Sequence, residues 1–353
     1  MTSTTATQNR SAVLPHVKAH PMIITTSPIS NPTGSEVLIR VRAVAINPAD
    51  YAVQKLGIVV KHEYYPYVGG IDVSGDIVSV GPSNARFKPG DRVTAHASAW
   101  QTGEAKYGAF QEYSIVDEPM VAKIPDRVSY NEAAVLPLGF TTSSAMLFSP
   151  ELMGLDLPKA GTKTNSTKKL VLVWGGSSSV GSNAIQTLKA AGYIVAATAS
   201  ETNHGMMREM NVDYVFDYKK DGIADQIMET LSEVGELEGV YCAIYSEFAI
   251  QACARIADKL AGKKQVGTIM PPGMPIPEDL PDGVEILIND RIYFGSTETG
   301  KILWTEWLSG ALEDGSMKCM PHPEVIGKGL EKIQDAVDAI GKGVSGKKLV
   351  VEL

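Results

Sequence analysis

The chain has 353 residues, a formal net charge of −8, 44% hydrophobic and 20% charged residues. That length suffices for two domains with cores of their own, and an acidic chain without a long basic run argues against a nucleic-acid partner. No apolar stretch approaches the roughly 20 residues of a membrane-crossing helix, so no membrane role is expected.

Residues 1–14 (MTSTTATQNRSAVL) lack the apolar centre of a secretory signal and read as a polar tail. Residues 36–45 (EVLIRVRAVA) alternate apolar and polar positions as a half-buried strand does. Residues 72–80 form a second strand, closed by Gly81-Pro82, and the turn Pro89-Gly90 leads into a third. A further strand at 111–116 follows Tyr107-Gly108, so the first part of the chain predicts a small barrel-like β domain. Residues 131–149 have helical character, interrupted at Pro137 and Gly139.

Strands and helices then alternate. Strand 170–174 is followed by helix 183–191, strand 194–198, helix 205–210 and strand 214–216. Helix 223–234, strand 239–244, helix 249–260 and strand 264–269 complete the series, which predicts a parallel doubly wound sheet. Residues 327–341 make an amphipathic helix with Leu330, Ile333, Val337 and Ile340 on one face, and residues 348–353 make a strand that returns to the first domain. The three cysteines, Cys242, Cys253 and Cys319, have no paired spacing, which fits a reducing, cytoplasmic setting. Cys242 lies in an apolar run and reads as core.

The run 171–181 (VLVWGGSSSVG) carries the clearest chemistry. A short apolar strand ends in a small-residue turn that opens a helix. Glycines there let backbone approach a pyrophosphate, and the helix N-terminus faces its charge. Gly176, Ser177, Ser178, Ser179 and Val180 are the candidate phosphate contacts; the alternative is a purely structural strand–helix turn. NAD sites place an acid at the end of the next strand, where this chain has Thr198-Ala199-Ser200. A neutral end, with Glu201 beyond it in the turn, favours NADP, with Ser200, Asn203 and His204 as candidate binders of its 2′-phosphate. Tyr218 is a candidate for the adenine face, or a lone surface tyrosine.

The segments Asn47-Pro48-Ala49-Asp50, 69–81 (GGIDVSGDIVSVG), 87–93 (FKPGDRV), 107–113 (YGAFQEY), GGSSSVG and 346–351 (GKKLVV) occur in order across nearly the whole chain. In these the chain resembles the medium-chain dehydrogenase/reductase superfamily. The resemblance implies an α/β architecture: a GroES-like β-barrel catalytic domain at 1–135, completed by 302–353. A Rossmann NADP-binding domain at 136–301 is inserted between them, and the active site lies in the cleft. Zinc dehydrogenases of the superfamily carry a cysteine where this chain has Asn47 and a His-Glu pair where it has Gly70-Ile71. This chain has no cysteine before Cys242, and His62, Glu63, Asp72 and His96 read as scattered residues in solvated or turn positions. The chain is therefore similar to the zinc-independent quinone oxidoreductase and enoyl reductase branch, fungal stand-alone enoyl reductases included.

That branch implies hydride transfer from NADPH to an enoyl, enone or quinone substrate. Asn47 would orient the nicotinamide or, alternatively, cap the turn before Pro48. Tyr51 is a candidate proton donor, in competition with Tyr64, Tyr65, Tyr67 and solvent. Thr141 and Ser246 would lie beside the cofactor, and Gly267, Thr268 and Ile269 would meet its carboxamide. Two other readings stay open: a carbonyl reductase on the same fold, and a non-catalytic NADPH-binding protein. The expected assembly is a monomer or homodimer.

Overall fold

The computed structural model describes residues 7–159, 168–271, 274–289 and 294–353. The chain divides into two units: residues up to Leu138 together with His322–Leu353, and Gly139–Pro321. Residues 302–321, which the sequence assigns to the first unit, group with the second. The reason is aromatic packing: Trp304 meets Phe140 edge-on at 5.5 Å between ring centroids, and Trp307 stacks on the same ring at 6.0 Å. Among the described residues no helix is long and apolar enough to cross a membrane.

The first unit begins with strands β1 (Gln8–Leu14), β2 (Ile23–Pro28), β3 (Val37–Ala45), β4 (Tyr67–Val68), β5 (Asp72–Val80), β6 (Arg92–His96), β7 (Tyr113–Val116) and β8 (Val121–Lys123). The second unit contributes β9 (Lys169–Trp174), β10 (Ile194–Thr198), β11 (Tyr214–Phe216), β12 (Glu236–Cys242), β13 (Gln265–Thr268) and β14 (Glu285–Ile288). The chain then returns to the first unit with β15 (His322–Lys328) and β16 (Lys347–Glu352).

In the first unit, β2-β1-β4 form one small sheet. A larger one runs β15-β16-β3-β5-β6-β8, with β7 also pairing β3. The predicted polar tail is in fact β1 from Gln8 onward. Its polar residues find partners about a hundred positions away: the Asn9 amide donates to Gln111 Oε1 at 2.9 Å and to the Tyr113 carbonyl at 2.8 Å, and Tyr113 N–H donates back to Asn9 Oδ1. Asn9 is thereby buried as one more strand pairing, which polarity alone did not reveal. The C-terminal amphipathic helix spans only Lys332–Ile340, because residues 322–328, part of which was read as helical, form β15.

The second unit is a parallel six-stranded sheet in the order β11-β10-β9-β12-β13-β14. Sequence order reverses at β9, so the crevice beyond the carboxyl ends of β9, β10 and β12 is the topological place for a ligand. Residues of β9 are buried on both faces, as the near-continuous apolar run LVLVW requires. Cys242 and Cys253 are fully buried in the core between the sheet and helix Glu247–Lys259.

Candidate functional site

In the second unit, β9 ends at Trp174 and the chain turns through Gly175, whose φ of +89° suits glycine. The Gly175 N–H donates to Thr198 Oγ1 at 3.0 Å and the Gly176 N–H to the Thr198 carbonyl at 2.8 Å. Thr198 is thus committed to holding the glycine turn. Ser178 is the N-cap of helix Ser179–Ala190: its Oγ accepts the Gly181 N–H at 2.9 Å and donates to the Gly175 carbonyl at 2.9 Å. A Cβ on Gly181 would lie 2.2 Å from the Gly175 oxygen. Glycine here is what lets turn and helix close up, leaving the helix N-terminus and its partial positive charge at the mouth of the sheet. The helix begins at Ser179, four residues before the position read from periodicity, because Ser178 caps it.

Of the predicted 2′-phosphate residues, Ser200 and Asn203 converge. Asn203 Nδ2 donates to Ser177 Oγ at 3.2 Å and to Ser200 Oγ at 3.1 Å, and Ser200 Oγ pairs with Thr202 Oγ1 at 3.0 Å. Thr202 belongs to this cluster and was missed by the motif reading, although a third hydroxyl between Ser200 and Asn203 is visible in the sequence. Tyr218 lines a cavity of about 540 Å³ with Lys219, Lys220, Phe248 and Arg255. Ser246 caps helix Glu247–Lys259. Gly267 and Thr268 lie within β13 and Ile269 just beyond it; Thr268 Oγ1 accepts the Met270 N–H. Thr141 sits on helix Pro137–Phe148, is 9% exposed, and its buried hydroxyl has no partner. A Cβ at Gly139 would fall 2.5 Å from Ser179 Oγ, so that helix packs directly on the start of helix Ser179–Ala190. Val180 lies in the first turn of the cradle helix.

In the first unit, Asn47 ends the chain segment leaving β3 and is 2% exposed. Its backbone N–H donates to Asp50 Oδ2 at 2.8 Å, so Asp50 caps the short helix Pro48–Tyr51. The Asn47 side chain reaches across to the neighbouring strands: Nδ2 donates to Asp72 Oδ2 at 2.9 Å, and Oδ1 accepts from Lys348 Nζ. Lys348 also pairs with Asp72 Oδ2 at 2.9 Å, and Asp72 Oδ1 accepts the Leu138 N–H at 2.6 Å. Asp72 and His96, read from sequence as scattered and solvated, are 0% and 2% exposed and stand opposite one another in the β5–β6 register. Strand pairing joins what linear spacing separates. His62 and Glu63 are exposed, as expected. Tyr51 is half-buried, with its ring against Gly341, where a Cβ would lie 2.3 Å from Cε2. Among the described residues, no three His, Cys, Asp or Glu side chains gather so as to hold a metal ion.

Burial sets the electrostatics of this cluster. It pushes Asp50 up to about 7; the Asn47 and Gly70 N–H groups and Lys348 oppose the rise, while the Asp72 charge adds to it. Burial pushes His96 down to about 4 against the opposing pull of Asp72. Folded Asp50 therefore keeps a proton that the unfolded chain gives up, and its contribution to stability falls as pH rises from about 4 to 7. His96 works the other way, its contribution being lost as pH falls from about 6.5 to 4. Asp50→Asn, which keeps an acceptor for the Asn47 N–H, removes the first slope and leaves the second. Its stability relative to wild type is expected to rise between pH 4 and 7 by up to on the order of 4 kcal/mol. Urea unfolding at pH 4.5, 6 and 8 measures this, and a constant difference between the two proteins would contradict it.

Comparison with known proteins agrees with this architecture. Residues 33–126 match the alcohol dehydrogenase GroES-like domain. The dehydrogenase azaJ of Aspergillus niger is 38% identical over 355 residues, covering 98% of this chain and 99% of its own. The trans-enoyl reductase himH of Aspergillus japonicus is 34% identical over 320 residues, covering 90% of each. Among solved structures, a putative zinc-dependent alcohol dehydrogenase from Rhizobium etli superposes with a TM-score of 0.77 at 21% identity, covering 98% of both chains. The CurK enoyl reductase does so at 0.72 and 20%, covering 98% of this chain and 99% of that one; both likenesses concern the fold alone. The chain belongs to the medium-chain dehydrogenase/reductase superfamily. It is an oxidoreductase of that fold, which works on a small-molecule substrate with a nicotinamide cofactor.

Proposed function

We propose that the protein is a zinc-independent, NADPH-dependent reductase that delivers hydride to a carbon–carbon double bond conjugated to a carbonyl, or to a quinone. The observation that carries this reading is the donor set of the buried first-unit cluster. Zinc is held by Cys, His or carboxylate groups with lone pairs to give. Here the resemblance puts the ligand positions at an asparagine and at Gly70-Ile71. Of the two carboxylates beside Asn47, Asp50 accepts the Asn47 N–H, and Asp72 already accepts from Leu138, Asn47 and the Lys348 ammonium. A divalent ion beside it would meet a fixed positive charge. Reduction of an isolated carbonyl leans on a Lewis acid to polarise the oxygen. Conjugate hydride delivery instead develops charge on an oxygen that hydrogen-bond donors can hold. Relatives named trans-enoyl reductase support the same choice.

When bound, NADPH supplies the hydride. The chain's own groups do the holding. Ser178 and the N-terminus of helix Ser179–Ala190 take the diphosphate, with Gly176, Ser177, Ser179 and Val180 around it. Ser200, Thr202 and Asn203 take the 2′-phosphate as neutral donors, with the Glu201 carboxylate of the same turn exposed to solvent. Tyr218 and Phe248 flank the adenine in their shared cavity. The unpartnered Thr141 hydroxyl, Ser246 and the backbone of Gly267, Thr268 and Ile269 serve the nicotinamide end. Asn47 orients the reacting groups, and Tyr51 or solvent is the candidate proton donor. The proposed setting is the cytoplasm, as a monomer or homodimer.

The test is NADPH oxidation against a panel of enals, enones and quinones, with product mass and a metal assay on the same sample. Saturated carbonyl or hydroquinone without stoichiometric zinc is expected; alcohol as sole product, or stoichiometric zinc, overturns the reading. Ser200→Asp puts a carboxylate where the 2′-phosphate binds. It is expected to lower the NADPH-over-NADH ratio of kcat/KM by about 100-fold. An unchanged ratio would remove Ser200 from cofactor selection.

A further inference from the structure

Lys348 stands on the last strand of the chain, yet its side chain is only 4% exposed. Its place is set by backbone pairing. β16 runs antiparallel to β3, and the Ile46 N–H donates to the Leu349 carbonyl at 2.9 Å, so Lys348 lies beside Asn47. Asp72 is the cross-strand partner of Ala45, two residues before Asn47. Three adjacent strands thus bring their ends to one buried point. The Asn47 amide there has two possible flips. In one, Oδ1 faces the Lys348 ammonium and Nδ2 faces the Asp72 carboxylate, as observed. In the other, NH2 would face an ammonium and an oxygen would face a carboxylate, with both charged partners cut off from water. The ion pair therefore permits a single orientation.

We propose that Lys348 and Asp72 are positioning residues of the reductase, a buried ion pair that acts on the reaction by locking the Asn47 amide in one orientation. This rests on the reductase reading above. The test uses the full-length protein and an acceptor that the wild type reduces. Lys348→Met alone strands the Asp72 charge, so the working variant is the neutral pair Asp72→Asn with Lys348→Met, its fold checked by circular dichroism. Its kcat is expected to fall about 100-fold, as for a reacting group displaced by an ångström, while NADPH affinity by fluorescence titration stays within about threefold. Asn47→Ala is expected to cost a similar factor in the wild type and less than about threefold in the neutral pair, since the residues act as one unit. Lys348→Arg, which keeps the charge and a donor toward Asn47, is expected to hold kcat within about tenfold of wild type. Full additivity of the Asn47→Ala effect, or wild-type kcat in the neutral pair, overturns the positioning role in an enzyme that is otherwise active. So does a folded Lys348→Arg variant as slow as the neutral pair. A wild type that oxidises NADPH with no acceptor of the panel instead overturns the reductase reading, and the positioning role falls with it.

Discussion

Gly181→Ala is expected to weaken NADPH binding by at least about 100-fold and to destabilise the second unit by about 2–3 kcal/mol. A Cβ at this position would lie 2.2 Å from the Gly175 carbonyl oxygen and 2.9 Å from the Gly176 Cα. Both are backbone atoms, so neither can swing aside as a side chain would. Relief comes only from moving the helix start away from the turn, and that separates Ser178 Oγ from the Gly181 N–H it accepts at 2.9 Å. The proposed phosphate cradle is built from those same atoms, so stability and binding are expected to fail together. Gly205→Ala is the control: its nearest neighbour would be 3.9 Å away, within helix His204–Glu209. That change is expected to leave binding intact and stability level or slightly raised. Fluorescence titration with NADPH and thermal melting of both variants decide the matter. A Gly181→Ala protein that titrates like wild type would show that the cradle is not where the diphosphate rests.

Lys348→Met is expected to destabilise the first unit by about 3–5 kcal/mol, lowering its melting temperature by about 10 °C. The loss does not come from the strength of the pair, since a buried ion pair gains little over well-packed neutral groups. It comes from what remains: an Asp72 carboxylate at 0% exposure, facing only the Asn47 amide and the Leu138 N–H. Adding Asp72→Asn removes that stranded charge, so the double variant is expected to recover most of the lost stability even though it has lost one more native group. Differential scanning calorimetry on the single and double variants measures the sign. If the double variant melts below the single one, Asp72 is not the source of the penalty.

The Rossmann half was legible because its signals are local. Each strand is an apolar run, each helix repeats at its own period, and a glycine-serine turn stands between the first strand and its helix. The predicted strands 170–174 and 214–216 match β9 and β11 within a residue. Helix starts were less legible, since a serine cap, as at Ser178, fixes them before the apolar pattern begins. Edge strands such as Ile23–Pro28, Glu285–Ile288 and His322–Lys328 went unread, for their residues are exposed or half-buried and carry weak alternation. Asp72 and Lys348 left no trace of their own: their strands also carry Asp76 and Lys347, and nothing local marks Asp72 and Lys348 as the buried charges. A buried charge calls for a partner, and the partner cannot be named from the chain alone.

By itself the sequence determined the class of protein, the inserted order of its two units, and the small-residue turn of 175–181 that opens a helix. Each contributing motif is a short run of neighbouring residues, where steric and hydrogen-bonding rules act directly, and the order of those motifs along the chain supplied the rest. Only the tertiary structure decided that Asn9 lies in a strand, that Trp304 and Trp307 belong with Phe140, and that Asn47, Asp72, His96 and Lys348 form one buried cluster. Those four residues span 301 positions from Asn47 to Lys348 and meet only because β16, β3, β5 and β6 pair side by side. Burial of charge is a property of that meeting, and no local spacing encodes it.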